Sequence, residues 1–398
     1  MDRSNREIVI AGGRRTPLGN FGGSLRDVPM SDQAAHAVKA SVSAAGLSPR
    51  DIDHFVFSTT VPTDRDSLFA ARVVSVKGGL PEEIPALCVT RACASGLQAI
   101  LSAAQQIETG HSKLAVAAGS EVFSRVPYAV STARWGHPRG PQTLDDMLEW
   151  AYRCPFSLEY MGDTAENVAD EFGYDREAMD EWSAMSQVRA LAAIENGFLA
   201  RQIAPLAVPD GKGTRDFSRD EGPRPDATLE KLQRLKPAFR KDGRVTAGNA
   251  SGVTDGAAAI IVADRAAAEA KGMQPMVRLV DWVAVGVPPR IMGHGPVPAI
   301  RQLLEKRGMK ISDIDYFEIN EAFAVVNLHA ERHLGIPRDI HNLYGGGISV
   351  GHPPAVTGLR MAMTAAEHLV QGGGRYAMLS MCLGAGQGMA VLVEAVGH

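Results

Sequence analysis

Cys93 lies in the run Cys88-Val89-Thr90-Arg91-Ala92-Cys93-Ala94-Ser95-Gly96-Leu97. The apolar residues Ile84 to Val89 predict a buried strand, and Leu97, Ile100, Leu101, Ala104 and Ile107 recur at helical spacing. The cysteine therefore falls where a strand feeds a helix N-terminus. Free N–H groups and the helix dipole favour an anion there. This predicts a thiol that ionises below its ordinary pKa of about 8.5 and acts as a nucleophile. A small buried hydrophobe is the competing reading of the same residue. Three more turns carry reactive side chains. Asn320-Glu321-Ala322-Phe323-Ala324 follows a strand expected at Tyr316 to Ile319. Gly345-Gly346-Gly347-Ile348-Ser349-Val350-Gly351-His352-Pro353 precedes a helix, and Cys382-Leu383-Gly384-Ala385-Gly386-Gln387-Gly388 follows a strand at Ala377 to Leu379. A cysteine and a histidine in one site would give a nucleophile with its base.

An internal repeat supplies the elements that could bring them together. Leu47-Ser48-Pro49-Arg50-Asp51-Ile52-Asp53-His54-Phe55-Val56-Phe57 echoes Met309-Lys310-Ile311-Ser312-Asp313-Ile314-Asp315-Tyr316-Phe317-Glu318-Ile319. A helix-like segment precedes each copy, Gln33 to Ala44 and Val297 to Lys306. A marked turn, a helix and a strand follow each. In the first copy these are Cys93, Leu97 to Glu108 and Lys113 to Ala118; in the second, His352, Val356 to Val370 and Tyr376 to Leu379. The alternating order implies two similar α/β halves with largely buried sheets. Packed about a pseudo-twofold axis, their equivalent turns would place Cys93 and His352 in one site. The halves are residues 1–123, completed by about 246–272, and 273–398. Residues 124–245 differ in texture, being richer in charge, proline and arginine. They contain helical patterns at Thr164 to Phe172 and Arg176 to Asn196 and a polar, loop-like stretch from Pro209 to Arg240. An insertion of that length reads as a lid or ligand-handling element.

Composition narrows the partners. A net charge of −4 over 398 residues argues against a general nucleic-acid binder, which needs a basic face. The four cysteines, Cys88, Cys93, Cys154 and Cys382, form no C-x-x-C pair and are too few for a disulfide scaffold in so long a chain. A zinc or redox motif is not expected, and a reducing, cytoplasmic setting is. The charged start, Met1 to Glu7, runs into strand-like Ile8-Val9-Ile10-Ala11, with no signal peptide and no stretch that would insert in a membrane.

Taken together the motifs resemble the thiolases, the acetyl-CoA acetyltransferases and 3-ketoacyl-CoA thiolases. The resemblance rests on C-A-S-G-L-Q-A at Cys93, N-E-A-F-A at Asn320, G-H-P at His352 and C-x-G-x-G at Cys382. Arg15-Thr16-Pro17-Leu18-Gly19-Asn20-Phe21-Gly22-Gly23, Met161-Gly162-Asp163-Thr164-Ala165-Glu166-Asn167-Val168-Ala169 and Thr246-Ala247-Gly248-Asn249-Ala250-Ser251-Gly252 extend it over essentially the whole chain. It implies a five-layer αβαβα fold of duplicated α/β/α halves with an inserted loop domain. It implies reversible thiolytic cleavage of a 3-oxoacyl-CoA, or Claisen condensation, through an acyl-cysteine. Cys93 would be the nucleophile, His352 its base, and Cys382 the group that moves the proton at C2. Asn320 would hold a water in one oxyanion hole with His352, and the N–H groups of Cys93 and Gly384 would form the other. Coenzyme A and acyl-CoA would be substrates, with no metal or prosthetic group. Ser251, Ala247, Ala250 and Met161 match a pantetheine tunnel, Met292 and Phe323 an apolar wall, and Arg224 the nucleotide end. A homodimer or homotetramer is implied, with Ala86 to Val89 and the loop Val61 to Arg72 resembling its contacts.

Several positions depart from the family pattern. Thr90 interrupts V-N-R-x-C, Ala355 replaces the last glycine of G-H-P-x-G, Ala385 breaks a triple glycine, and Ser120-Glu121-Val122-Phe123-Ser124 replaces G-x-E-S-M-S. These read as a reshaped pocket. Trp150, Tyr152, Phe156 and Tyr160 could line an acyl pocket, with lid core the favoured reading. The alternatives are a ketoacyl-synthase-like condensing enzyme and a non-catalytic acyl-CoA-binding or scaffold subunit. Cys382 and N-E-A-F-A argue against the first. The presence of all five site residues argues against the second.

Overall fold

Nine principal strands and eight helices carry the site in a computed structural model that describes residues 6–136 and 139–397. Residues 1–5 of the charged start, and His137 and Pro138 within the segment from Ala133 to Phe156, lie outside the described residues. The first half runs β1 (Ile8–Arg15), α1 (Met30–Ala44), β2 (His54–Ser58), α2 (Ala70–Lys77), β3 (Ala86–Val89), α3 (Ser95–Glu108) and β4 (Leu114–Glu121). The following segment holds α4 (Met161–Phe172) and α5 (Arg176–Glu195). It also holds a small hairpin, Leu206–Asp210 with Gly213–Phe217, that the sequence pattern did not announce. β5 (Thr254–Asp264) then pairs antiparallel with both β1 and β4. The second half runs β6 (Val277–Gly286), α6 (Pro296–Arg307), β7 (Tyr316–Ile319), α7 (Ala324–Leu334), α8 (Pro354–Val370), β8 (Tyr376–Leu383) and β9 (Gln387–Ala395).

The strands pair in the order β3-β2-β4-β5-β1-β6-β9-β8-β7. β2 is parallel to β3 and β4, and β7 is parallel to β8, while the inner pairs are antiparallel. The halves thus repeat the same pattern outward from the β1–β6 seam. That seam is short, Val9 opposite Arg278 and Ile10 opposite Val277, yet it joins the two sheets into one hydrogen-bonded path. The counterpart of β3 in the second half shrinks to a single bridge between Phe317 and His341.

Side chains alternate across each strand, so each sheet feeds two cores. On β8, Ala377, Leu379, Met381 and Leu383 face a central core filled by α3 and α8, while Met378 and Cys382 face an outer one. On β1, Ile8 and Ile10 face the central core and Val9 and Ala11 the outer core under α1 and α2. The result is five layers, helix-sheet-helix-sheet-helix. The two central helices cross at glycines. A Cβ on Gly96 would meet the Ala355 carbonyl oxygen at 2.9 Å, and one on Gly358 would meet the Leu97 nitrogen at 2.3 Å. Only bare backbone allows that approach, and it brings the N-termini of α3 and α8 together.

One sequence expectation fails here. The segment ending at Val89 is not a buried strand. β3 has a neighbour on one side only, and Leu87 and Cys88 are exposed. No helix among the described residues is long and apolar enough to cross a membrane.

Candidate active site

Cys93 closes the turn between β3 and α3. Ala92 before it takes a left-handed φ of 44°, which an L side chain tolerates poorly. Ser95 holds the turn: its hydroxyl donates to the Ala92 carbonyl at 2.7 Å and accepts from the Arg91 N–H at 2.8 Å. Gly384 lines the same cavity as Cys93, so the turns of the two halves meet there. The electrostatics overturn the sequence expectation of an easily ionised thiol. Burial pushes the Cys93 thiol up, against the opposing pull of the Gly384 and Cys93 N–H groups, and the charge of Glu121 adds to the rise. At neutral pH the sulfur is a thiol. Cys382, fully buried at the end of β8, is pushed far above the usual range by burial and by Cys93 beside it.

His352 follows Gly351, whose φ of 120° and contact with Thr254 leave no room for a side chain. Its backbone N–H donates to the Thr254 hydroxyl at 3.3 Å, and two prolines then start α8. Burial, aided by the field of Arg360, pushes the imidazole down to about 3, so it is neutral. Its tautomer follows from one proton. The Thr357 hydroxyl donates to the Pro353 carbonyl at 3.0 Å and lies 2.7 Å from His352 Nδ1. Having given its proton away, Thr357 accepts from Nδ1–H. Nε2 is therefore the unprotonated, basic nitrogen. Asn320 Nδ2 lies 3.3 Å from Nε2 and 3.5 Å from Nδ1, while its Oδ1 is buried without a partner among the described residues.

These groups close one end of a cavity of about 520 Å³. Cys93, His352, Gly384, Met161, Ala250, Ser251, Met292 and Phe323 line it, so most of the residues singled out from the sequence come together. Asn320 and Cys382 sit in the wall behind. Ala247 and Arg224 are exposed and lie outside the lining. Of the four aromatics, Tyr152 and Tyr160 line the cavity while Trp150 and Phe156 are exposed, so the lid-core reading is corrected. A short apolar segment cannot bury rings that point away from every core.

Three residues with structural leverage escaped the sequence reading. Thr357 is one. Glu321, inside a motif singled out for Asn320, accepts from Trp182 Nε1 at 3.0 Å, Ser186 Oγ at 2.7 Å and the Ile348 N–H at 3.2 Å. It ties the Asn320 turn to α5 and to the loop before His352. Glu121, fully buried, accepts from the Thr60 hydroxyl at 2.7 Å and N–H groups of Thr60, Val61 and Ala355. It pins one cavity wall to the start of α8. A carboxylate amid small and apolar residues was the available signal for both.

A turn-borne thiol, a basic imidazole nitrogen and a second thiol around one cavity suit acyl transfer coupled to proton transfer at carbon. The comparisons agree. Residues 8–266 match the family described as "Thiolase, N-terminal domain" and residues 273–395 the one described as "Thiolase, C-terminal domain". The chain is 43% identical to Beta-ketothiolase BktB of Cupriavidus necator, over 98% of this chain and 100% of that protein. It is 40% identical to Beta-ketoadipyl-CoA thiolase of Pseudomonas putida, over the same shares. The crystal structure of human mitochondrial 3-ketoacyl-CoA thiolase in complex with CoA superposes with a TM-score of 0.95 at 38% identity, covering 98% of each chain. The chain belongs to the thiolase family.

Proposed function

We propose that the family reaction, reversible CoA-dependent cleavage of a 3-oxoacyl-CoA, runs in this chain through Cys93, His352 and Cys382. His352 Nε2 takes the proton of Cys93 as the sulfur attacks the keto carbon. The resulting alkoxide is stabilised by nearby donors, an arrangement typically worth a few kcal/mol. The C2–C3 bond then breaks and its electron pair goes to C2. Cys382 gives its proton to that carbon, and acetyl-CoA (or another acyl-CoA) leaves while the shortened acyl group stays on Cys93 as a thioester. Incoming CoA passes its thiol proton to the Cys382 thiolate and attacks the acyl group. Cys93 departs and recovers its proton from His352. Condensation is the reverse. Met161, Ala247, Ala250 and Ser251 would hold the pantetheine arm, Met292 and Phe323 would form an apolar wall beside the thioester, and Arg224 would serve the nucleotide end outside the cavity.

The observation that carries the reading is one cavity lined by Cys93, Gly384 and a histidine whose Nδ1 is engaged by Thr357, which leaves Nε2 as the basic nitrogen. Intact mass spectrometry after incubation with an acyl-CoA tests it: one acyl group on Cys93 is expected. Cys382→Ser should still acylate but lose carbon–carbon exchange. An adduct on Cys154, or equal loss of both half-reactions in Cys382→Ser, would overturn it.

The same proposal includes a homo-oligomer, a dimer or tetramer. β3 is an unpaired sheet edge carrying exposed Leu87, and Leu68 and Phe69 are 77% and 70% exposed in the adjoining loop. Apolar edges of this kind call for a covering partner. All four cysteines are free, which suits a reducing compartment such as the cytoplasm.

A further inference from the structure

The cavity lining is charged in one sense only. Among the described residues no lysine or arginine lines it, and its single charged side chain is Glu149. The rest is Val61, Phe123, Tyr152, Met161, Phe239, Phe323 and similar apolar or neutral groups. More negative charge stands behind the wall. Glu121 and Asp255 are both fully buried, and Asp255 Oδ2 has no hydrogen-bond partner among the described residues. Both carboxylates, with Cys93, bear on Tyr152, whose phenol is driven well above its usual range by burial and by those charges. Burial raises Glu121 to about 7 and Asp255 to about 6, so both are largely ionised at pH 8.

Two of the nearby cations are already engaged. Arg153 stacks on the Tyr160 ring with its guanidinium carbon 3.9 Å from the centroid, and lies 3.5 Å from Glu149. Arg360 is buried against Glu318 at 2.7 Å, outside the lining. His352 is neutral. A carboxylate at the far end of an acyl chain would be drawn from water into a mostly apolar lining and meet no lysine or arginine in it. Isolated buried carboxylates cost several kcal/mol even after relaxation, and the neutral hydroxyls of Tyr152 and Thr90 do not offset that.

We propose that this cavity accepts uncharged acyl groups and rejects acyl groups ending in a carboxylate, with Glu149 as a specificity-determining residue. The proposal rests on Cys93 carrying the acyl group. A matched pair of substrates tests it at pH 8: 3-oxohexanoyl-CoA and 3-oxoadipyl-CoA share a six-carbon skeleton and differ by the terminal carboxylate. The expected kcat/KM favours the uncharged substrate by at least about a hundredfold, the ratio for roughly 2.7 kcal/mol. In Glu149→Gln, an exposed and readily tolerated change, Arg153 is released and the preference should shrink about tenfold. Comparable kcat/KM values, or a preference for the carboxylate, would overturn the proposal. So would a ratio unmoved by Glu149→Gln. Intact mass spectrometry separates the two layers. Equal acylation of Cys93 by both substrates refutes the selectivity alone, whereas no adduct on Cys93 with either refutes the nucleophile on which it rests.

Discussion

Replacing Thr357 by valine keeps the shape of the side chain and removes the hydroxyl that fixes the His352 tautomer. In the native site Nδ1–H has one acceptor, 2.7 Å away, and Asn320 faces both ring nitrogens. Without the hydroxyl, Nδ1–H is a buried donor with no acceptor. The net loss of such a hydrogen bond is about 1 kcal/mol, rising to roughly 3 kcal/mol when the donor is stranded. The ring then gains by moving its proton to Nε2, the tautomer that cannot accept from Cys93. At about 1.4 kcal/mol per decade, acylation of Cys93 should slow by roughly 5-fold to 150-fold. KM should change little, because Thr357 lies outside the cavity lining. Single-turnover acylation, followed by quench and mass spectrometry, measures the affected step directly. Thr357→Ser restores the hydroxyl and should recover to within about threefold. A valine variant that melts like the native protein and acylates at the native rate would refute the tautomer argument. A serine variant as slow as the valine variant would do the same.

Two further outcomes follow from the same geometry. Because burial raises the Cys93 thiol, the thiolate fraction keeps growing with pH, so iodoacetamide should alkylate Cys93 ever faster past pH 9. A plateau below pH 8 would mean a thiolate–imidazolium pair at rest and would sink the neutral-site description. Ala385 sits at φ 66°, where glycine is at home, so Ala385→Gly should add about 1 kcal/mol of stability. Thermal melting checks it; an unchanged or lower melting temperature would show that the left-handed turn carries no strain.

The sequence carried the layered fold unusually far, because the repeat at 47–57 and 309–319 is a statement about topology as well as similarity. It placed Cys93 and His352 at equivalent turns, and equivalent turns in a pseudo-symmetric pair must meet near the axis. The Gly96 and Gly358 crossing is the physical form of that meeting. Other features lay beyond it. Exposure of β3 depends on which strand ends the sheet, a non-local fact that an apolar run cannot express. The protonation of Cys93 depended on how deeply the turn is buried, and the local helix-start argument held only the opposing effect. Thr357 looks like any helix-interior threonine until its hydrogen bonds can be traced in both directions.

That burial gives the chemistry its shape. A thiolate–imidazolium pair would hold two charges in the cavity before any substrate arrived, at a desolvation cost of several kcal/mol per ion. In the proposed mechanism, with both groups neutral, charge would be created only when Cys93 attacks, and it would appear as two opposite charges, the alkoxide and the His352 imidazolium. On protonation of C2 by Cys382 the negative charge would move to that sulfur while the imidazolium remained. Under that mechanism the charges on the reacting groups sum to zero at every step, in either direction. A site poised in this way favours cleavage and condensation without bias from a stored charge, because neither begins from an ion pair that the other must dismantle. The cavity then has every reason to exclude a substrate carrying a second, unpaired negative charge, since that charge would persist through every step with nothing beside it to balance.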